Sequence, residues 1–440
     1  MGKGRWWIVS FLCAGLAGTQ ALTGPGPNPG PGARTGAAAA GQALPGLTAE
    51  QLARFETGRI IFSRADSVTG SLPDTGGGLG PRYNLDRCAG CHSWPATGGS
   101  SPSPNPEIEA ATLAGAQNRI PAFISLDGPV RVARFKFNPD GTRDGGVHDL
   151  YTITGRIDAP GASLAQPDFA AAAAQGNLIY RIPTPLYGAG LIESIPDRAI
   201  IANKFADLLR KAELRIAGQE NRNGNDGTIT RFGWKAQNKS ILMFSGEAYS
   251  VEMGVANPLF PQERDESYPV NPTPEDDATF TATDIPVFLS DIENFTFYIR
   301  FLAAPRPGPA TASSERGRRL FEQVGCSLCH TPELTTGPAS VAAMGQVKAR
   351  LFSDLLLHHM GQGLADDIVQ GLAGPDQFRT APLWGVGQRL YFLHDGRARD
   401  LLTAIAAHQS PGSEANWAII GFNGLSGPDR QAILDLLGSL

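Results

Sequence analysis

Two short stretches of the sequence place a pair of thiols directly before a histidine. They are RCAGCHSW, with Cys88, Cys91 and His92, and GCSLCHTP, with Cys326, Cys329 and His330. In each C-x-x-C-H stretch the thiols can reach the two vinyl groups of one haem, and the histidine then lies under the iron as its ligand. One zinc ion held by all four thiols, or two disulfide or redox pairs, are the alternatives. Because both copies end in histidine, the pattern favours two covalently bound haem c groups.

The N-terminal residues have the features of a secretory signal peptide. Lys3 and Arg5 precede an apolar run at 6–17, and TQA at 19–21 is an acceptable cleavage site. The run is too short to span a bilayer, so we expect removal of residues 1–21 and no retained membrane span, with a retained anchor as the alternative. Covalent haem attachment takes place outside the cytoplasm, so both features predict a periplasmic protein.

The rest of the composition is that of a globular chain. The chain is 42 % apolar and 18 % charged, with a net charge of −5. Its length of 440 residues is enough for two or three domains. Residues 22–47 are rich in Pro, Gly and Ala and predict a flexible linker. No basic cluster indicates nucleic-acid binding, and a mildly acidic surface fits a small basic redox protein as electron donor or acceptor.

A weak internal repeat precedes the two cysteine stretches. GRIIF (58–62) and GRRLF (317–321) each lie in a predicted helix, the first capped by Thr48 and the second by Ser313 or Ser314. Each helix leads into a cysteine stretch, although a long loop is inserted in the first copy. The final residues, GPDRQAILDLLGSL, predict a terminal amphipathic helix, and PVRVARFKF predicts a short strand.

Five further segments extend this pattern. They are PTPLYGAGLIESIPD, RFGWKAQNKS, EMGVANPLFP, SDLLLHHMGQGLAD and FRTAPLWGVG. With the two C-x-x-C-H stretches, they resemble the di-haem oxidoreductase branch, also labelled thiol oxidoreductases, of the bacterial di-haem cytochrome c peroxidase / MauG superfamily. The resemblance covers residues 48–440. It implies a mainly α fold with two cytochrome c-like haem domains, at 48–150 and 311–440, and a middle region at 151–310 of helices, loops and a few short strands that completes the haem pocket.

The segment HDGRARDLLTAIAAHQ resembles the superfamily's H-D-G motif and the helix after it. There, the residue fourteen past the motif's histidine is the distal ligand of the C-terminal haem, and here it is His408, fourteen past His394. Leu401, seven residues past His394, occupies the position of a leucine in the family motif. The alignment of His408 with the family's ligand position is therefore consistent. A bis-histidine haem has a lower potential than a Met/His haem and is closed to peroxide, so it would transfer electrons. A capping or surface role is the alternative for His408, and His394 is expected to orient a loop, with iron ligation less favoured.

By elimination, the haem at the first stretch is the predicted reactive site. A peroxidatic haem needs an open distal position and a nearby acid/base group. In the family this group is a glutamate in an E-M-G motif, which implies Glu252 as first choice here, and Glu193 in GLIESIP is the second. FGWKA departs from the family's F-W-D-G-R-A motif. A surface or capping carboxylate is the alternative for either glutamate.

Other side chains could take part. His148 is a candidate distal ligand or proton donor of the first haem, with a structural histidine as the alternative. Trp94 could be a redox relay or could cover a porphyrin. His358 and His359 are expected to hydrogen-bond or pack at a helix end, and Met360 could ligate iron or belong to the core.

The sequence therefore predicts a periplasmic di-haem oxidoreductase. Electrons would pass from the C-terminal haem to the N-terminal haem, which would reduce hydrogen peroxide or another small oxidant, or oxidise a substrate. Calcium is a further candidate ligand, at the loop NRNGNDGTI (221–229), for which a polar turn is the alternative. The alternative functions are a pure electron-transfer di-haem cytochrome and a redox accessory of metal uptake. No further mature cysteine supports the thiol oxidoreductase label.

Overall fold

The computed structural model describes residues 39–262, 279–280 and 288–440. The predicted signal peptide and most of the predicted linker lie outside these residues. Within the described part, no helix is both long and apolar enough to cross a bilayer. Its longest helices have 15 and 13 residues, whereas its longest strands have four. The expected mainly α fold is therefore confirmed.

The helices and strands of the described residues are as follows. The helices are α1 (Ala49–Ser63), α2 (Cys88–Cys91), α3 (Glu107–Ala110), α4 (Phe169–Ala174), α5 (Ala189–Glu193), α6 (Asp197–Lys204), α7 (Leu208–Leu214), α8 (Ile241–Met253), α9 (Asp291–Phe301), α10 (Ala312–Gln323), α11 (Leu401–Ala407), α12 (Asn416–Asn423) and α13 (Gly427–Ser439). The strands are β1 (Ala65–Asp66), β2 (Thr75–Gly76), β3 (Arg82–Tyr83), β4 (Val132–Phe135), β5 (Val147–His148), β6 (Tyr151–Thr152), β7 (Leu178–Arg181), β8 (Asn221–Arg222), β9 (Ile229–Thr230), β10 (Thr279–Phe280), β11 (Phe288–Leu289), β12 (Leu334–Thr335), β13 (Lys348–Ala349), β14 (Leu357–His359) and β15 (Gln377–Arg379).

Most strands pair in twos, and one antiparallel sheet has the order β5-β4-β7. Its central strand, β4, is the strand expected from PVRVARFKF. His358 and His359, expected at a helix end, instead lie in β14, which pairs with β15 in an antiparallel ladder. That expectation was wrong because the backbone of this segment pairs with residues eighteen to twenty-two positions later in the chain, and apolar periodicity does not reveal such pairing.

Two helix crossings repeat in the fold. Helix α1 packs across α9, and a Cβ atom at Gly58 would overlap the carbonyl oxygen of Asn294. Helix α10 packs across α13, and a Cβ atom at Gly317 would overlap the carbonyl oxygen of Ala432. The glycines of GRIIF and GRRLF are thus the positions at which each helix approaches its partner's backbone. The terminal helix expected from the sequence is α13.

The helix caps follow the expected chemistry, with one difference in position. Thr48 caps α1 in a capping box with Gln51, as expected. Helix α10 is capped by Thr311, and Ser314 occupies the third helical position, where its amide donates to the Thr311 hydroxyl. The expectation of Ser313 or Ser314 as the cap was wrong because a threonine begins the same S/T-x-x motif three residues earlier.

The buried apolar residues form two large clusters. The larger one joins residues of α1, α8 and α9 with several from 334–356, and the smaller one lies entirely within 320–440. The packing unit around the first cysteine stretch therefore includes α8 and α9, which come from the predicted middle region. The domain boundaries given above remain predictions.

Candidate functional site

The first cysteine stretch is held in a form that suits iron binding. Cys88 and Cys91 begin and end the single turn α2, and His92 follows. The His92 Nδ1 atom lies 3.0 Å from the Gly99 carbonyl oxygen. Donation from Nδ1 leaves the Nε2 lone pair for a metal, as in most metal-binding histidines. Burial lowers the pKa of His92 to about 4, so the ring is neutral, as a ligand must be.

The second stretch repeats this arrangement. The His330 Nδ1 atom lies 3.0 Å from the Phe352 carbonyl oxygen, and burial lowers the pKa of His330 to about 4. In each copy the phenylalanine of the repeat packs beside the histidine. The ring centroids are 6.2 Å apart for Phe62 and His92, and 6.4 Å apart for Phe321 and His330. The internal repeat therefore positions the two histidines in the same way.

The first cavity is the space lined by Cys88, Cys91 and His92 on one side and by α8 and β4 on the others. Its volume is about 110 Å³. Helix α8 turns Ser245, Ala248 and Glu252 toward it, because residues three, four and seven apart share one helix face. The small Ala248 leaves room between the two polar side chains.

Glu252 lies on the wall of the first cavity, as the sequence predicted. Its position at the end of α8 is fixed by its carbonyl oxygen, which accepts a 2.7 Å hydrogen bond from the Asn84 amide. Burial raises the pKa of Glu252 to about 7, against the opposing charge of Arg134. A carboxyl group that titrates near neutrality can both accept and return a proton.

Glu193 does not line either cavity described here. Its Oε1 accepts a 2.9 Å hydrogen bond from the Ile241 amide at the start of α8, and its Oε2 lies 2.7 Å from the Arg300 guanidinium. Both oxygens are thus used in joining α5 to α8 and α9. Glu193, the second choice for the acid/base group, therefore holds helices together and faces neither of the two cavities.

Glu107 is a second carboxyl of the first cavity, and sequence reasoning missed it. Its side chain is fully buried, and its Oε2 accepts a 3.0 Å hydrogen bond from the Asn105 amide group. Burial raises the pKa of Glu107 to about 8. It stands in SPNPEIEA, where nothing in the local pattern distinguishes it from a surface carboxylate.

The second cavity is the space lined by Cys326, Cys329 and His330, with α11, α12 and α13 around it. Its volume is about 210 Å³, and most of its wall is apolar. His408, directly after α11, also lines it. The His408 Nδ1 atom lies 2.7 Å from the Ala404 carbonyl oxygen, which leaves Nε2 for a metal. The structure thus brings together the two histidines that the sequence paired.

Three further candidates also line the second cavity: His358, His394 and Met360. His394 stacks on Phe378 with a centroid distance of 4.3 Å, and burial lowers its pKa to about 4. Both ring nitrogens of His358 have carboxylate partners, Asp354 at 2.9 Å and Glu414 at 2.7 Å. His358 is therefore occupied by this network, whereas His408 keeps one nitrogen for iron.

The His358 network also accounts for a cluster with metal-ligand spacing. Among the described residues, Cys329, Asp354 and His358 lie close enough together to hold an ion. Burial favours the neutral ring, but the Asp354 carboxylate opposes it and raises the pKa of His358. Because Cys329 is a predicted haem anchor, an ion pair between His358 and the carboxylates explains the cluster.

His148 and Trp94 lie away from both cavities. The His148 ring stacks on Phe135 at 3.7 Å, and its Nε2 lies 2.7 Å from an Asp144 oxygen. Trp94 is 37 % exposed, and its indole N–H donates a 2.6 Å hydrogen bond to the Gln388 carbonyl. Neither residue lines either cavity, and the roles expected for them from the sequence remain predictions.

The loop at 221–229 is a β8–β9 hairpin. Its Asp226 carboxylate accepts hydrogen bonds from Thr228 and from Lys239. These partners already use the oxygens that a calcium ion would need. The polar-turn interpretation describes this hairpin, and calcium remains a prediction without a site among the described residues.

Trp234 lies between the two cavities, and the sequence did not single it out. It lines the first cavity, the second cavity and a small cleft that joins them. Its indole N–H donates a 2.9 Å hydrogen bond to the Ile182 carbonyl, and its ring meets His394 edge-on. Trp234 is the tryptophan of FGWKA. That segment contributes to the family resemblance, but its tryptophan was given no role in the sequence analysis.

The cleft also holds two arginines, the buried Arg379 and the partly buried Arg389. Each donates to backbone carbonyls, of Gly233 and Pro382 among others. Within the described residues, neither guanidinium forms an ion pair with a carboxylate, and burial lowers the pKa of each to about 10. A buried cation without an anionic partner is costly. The carboxylates of haem propionates have the charge this cleft requires.

The residues present therefore fit one haem c group at each cavity. Each cavity is lined by the two thiols of a C-x-x-C-H stretch and by one neutral imidazole whose Nδ1 is bonded to a backbone carbonyl. The wall of the second cavity is apolar, as a porphyrin face requires, and Arg379 and Arg389, which line both this cavity and the cleft, have the charge that propionates would need.

Comparison with protein families gives one match. A family model described as "Di-haem oxidoreductase, putative peroxidase" matches residues 135–440. The matched part contains Glu252, Trp234, the second cysteine stretch and His408, and it begins after the first cysteine stretch. No curated protein matches the chain.

Solved structures give only distant likenesses. A hydrazine synthase of Kuenenia stuttgartiensis is 19 % identical over 36 % of this chain and 58 % of its own, with a TM-score of 0.23. The diheme peroxidase BthA of Burkholderia thailandensis is 15 % identical over 48 % and 65 %, with a TM-score of 0.29. A MauG-like protein associated with microbial copper homeostasis is 15 % identical over 51 % and 77 %, with a TM-score of 0.28. The chain spans less than two thirds of the first two, and these scores carry no inference about function.

Proposed function

Because the chain belongs to the di-haem oxidoreductase family, we propose that it reduces hydrogen peroxide at a haem in the first cavity, with electrons delivered through a haem in the second. The observation that carries this proposal is the placement of Glu252. It is a carboxyl group titrating near neutrality, on the wall of the cavity that contains the first C-x-x-C-H stretch. The second cavity, in contrast, is lined by His408 in addition to His330.

Two cytochrome c-like domains accommodate these haems. The first is built on the α1–α9 crossing and the second on the α10–α13 crossing, and each crossing adjoins one cysteine stretch. Cys88 and Cys91 attach one haem and Cys326 and Cys329 the other. His92 and His330 would each hold a haem iron, and His408 would be a further ligand of the second iron, which would close that iron to peroxide.

In the first cavity, Glu252 performs the proton transfer. When bound, the haem supplies electrons and an iron coordination position for peroxide. Glu252 would accept a proton from one oxygen of hydrogen peroxide and return it to the other oxygen, which would leave as water. In total the peroxide takes up two electrons and two protons, its O–O bond breaks, and two water molecules form.

Electrons enter at the second cavity and cross at Trp234. This indole is the aromatic group that lines both cavities, and its hydrogen bond to Ile182 fixes its orientation. The donor is a small redox protein, and the net charge of −5 favours a basic one. Export to the periplasm rests on the sequence of residues 1–21, which lie outside the described residues.

The test is single-turnover reaction of the half-reduced holoprotein with hydrogen peroxide, followed optically at both haems. The proposal predicts oxidation of both haems and one equivalent of peroxide consumed per two electrons. No peroxide consumption in the ferric, half-reduced and fully reduced states would refute it and leave an electron carrier as the function.

A further inference from the structure

Arg134 is a guanidinium on the wall of the first cavity that lacks a full set of partners. It lies in β4, and its Nη1 donates a 2.6 Å hydrogen bond to the Gly145 carbonyl. Its Nε atom is buried and has no hydrogen-bond partner. An unpaired donor inside a cavity points to a ligand that accepts a hydrogen bond there.

The charge of Arg134 is also uncompensated. Two other arginines line the first cavity, and each has its own carboxylate: Arg87 lies 3.1 Å from Asp86, and Arg181 lies 2.6 Å from Asp366. Within the described residues, Arg134 has no such ion pair. Burial and the neighbouring charge of Arg181 lower the pKa of Arg134 to about 9, which leaves it cationic at neutral pH.

Glu252 faces the same cavity, within range of the Arg134 charge. That charge lowers the pKa of Glu252 and opposes the larger effect of burial. The hydroxyl of Ser245, two helical turns before Glu252, is buried and has no partner either. The cavity thus offers an unpaired cationic donor, an unpaired hydroxyl and a carboxyl group that exchanges protons.

We propose that Arg134 is a second catalytic residue of the first cavity, donating a hydrogen bond from Nε to the leaving oxygen of hydrogen peroxide. This inference rests on the proposed peroxide reduction. As the O–O bond breaks, negative charge develops on the far oxygen, and Arg134 stabilises it until Glu252 delivers the proton that completes the water molecule. The same donor binds small anions coordinated to the first haem iron.

A cation positioned where charge develops contributes strongly because it acts in a cavity from which water is excluded. Removing one such donor lowers the rate of the chemical step by about 10²–10³-fold in well-studied enzymes. Glu252 alone moves the proton but leaves the charge on the departing oxygen unstabilised during transfer. Arg134 and Glu252 therefore have separable roles.

The experiment measures two properties of the holoprotein: fluoride affinity of the ferric first haem and the single-turnover rate with hydrogen peroxide. The variants are Arg134→Leu and Arg134→Lys. The first removes the charge and the hydrogen-bond donors, and the second keeps a positive charge but replaces the planar guanidinium with an ammonium group. Arg143→Leu is the matched control, since Arg143 is an exposed arginine close in sequence whose guanidinium donates to the Asp367 carbonyl. Haem content is measured for each variant.

We expect Arg134→Leu to weaken fluoride binding by about tenfold or more and to slow the peroxide reaction by about 10²-fold, while Arg143→Leu changes neither. Arg134→Lys should restore part of both. Unchanged fluoride affinity and rate in Arg134→Leu would overturn the inference and leave the proposed function intact. A guanidinium that only held a haem propionate would shift the first haem's reduction potential at unchanged fluoride affinity, which would also overturn it.

The two proposals can fail separately. If the unmodified protein does not react with peroxide, the proposed function is refuted, and an Arg134-dependent fluoride affinity still supports the anion site. If Arg134→Leu loses the first haem, the comparison is made with Arg134→Lys and Arg134→Gln. Equal fluoride affinity in these two and the unmodified protein overturns the inference.

Discussion

The two cavities are built alike on one side and differently on the other. In both, a histidine after C-x-x-C donates from Nδ1 to a backbone carbonyl, and the phenylalanine of the repeat packs beside it. In the second cavity, which His330 lines, His408 lies on a mostly apolar wall. The first cavity instead presents Glu252, Arg134 and Ser245.

On the proposed function, this difference would give two similarly built sites two redox roles. The shared side needs only a haem anchor and a neutral ligand, so the repeat preserves it. The distal side decides between a closed iron, which exchanges electrons, and an accessible one beside an acid/base group, which can do chemistry. Trp234 lies between the two, where electrons would have to cross.

The largest expected effect comes from removing one anchor at a time. Cys88→Ala with Cys91→Ala should lower the haem-to-protein ratio from two to one and leave only a low-spin haem. Cys326→Ala with Cys329→Ala should also leave one haem, but a high-spin one. The ratio is measured by pyridine haemochrome assay and the spin state optically. Identical spectra of the two single-haem proteins would contradict the expected difference in spin state between the two cavities.

Glu252→Gln should slow peroxide reduction by about 10²–10⁴-fold, the usual range for loss of an acid/base group. The rate of the unmodified protein should rise with pH through about 7, because burial holds the pKa of Glu252 there and only the carboxylate accepts the proton. Arg134, Glu247 and Asp149 are the charged neighbours that act on this pKa. In Glu252→Gln the rate should no longer rise with pH in this range. Glu109→Gln, at an exposed carboxylate, is the control.

His408→Ala should convert the second haem from low spin to high spin, and His408→Met should raise its reduction potential, because methionine favours ferrous iron more than imidazole does. His359→Gln, at a half-exposed histidine beside Asp376, should change neither. A low-spin spectrum that persists in His408→Ala would identify His394 or Met360 as the ligand instead.

The smallest effects concern the two helix crossings. Gly58→Ala and Gly317→Ala should each lower the free energy of unfolding by about 1–3 kcal/mol, because the added methyl overlaps a backbone oxygen of the partner helix. The gain in helix propensity offsets only part of this cost. Gly427→Ala is the control, since a Cβ there meets no atom within 4 Å. Denaturant unfolding of the holoprotein measures all three.

Side chains close to a motif in sequence were the ones that sequence reasoning could predict. The C-x-x-C-H spacing identified both anchors, and the register from His394 through Leu401 led to His408, which α11 then carries to the second cavity. Glu252 followed from a resembling motif. In each case a short local pattern carried the information.

The rest depends on contacts between distant parts of the chain. Arg134 reaches the first cavity from a strand whose pattern gives no sign of a cavity, and Glu107 is a carboxyl whose burial results from the packing around it. Helix α9 packs on α1 although more than two hundred residues separate them in the sequence. The limits of the packing unit around the first cysteine stretch could therefore not be predicted from the sequence. Glu193 and Trp94 show the converse, since plausible local patterns led to residues whose polar atoms are bound elsewhere.

The central claim is that the first haem is accessible and the second is closed by His408. The most direct measurement is the electron paramagnetic resonance spectrum of the fully ferric holoprotein, with the signals integrated. We expect one high-spin and one low-spin haem in equal amounts, with the high-spin signal converted by added fluoride. Two low-spin haems, neither of which changes with fluoride, would contradict the account.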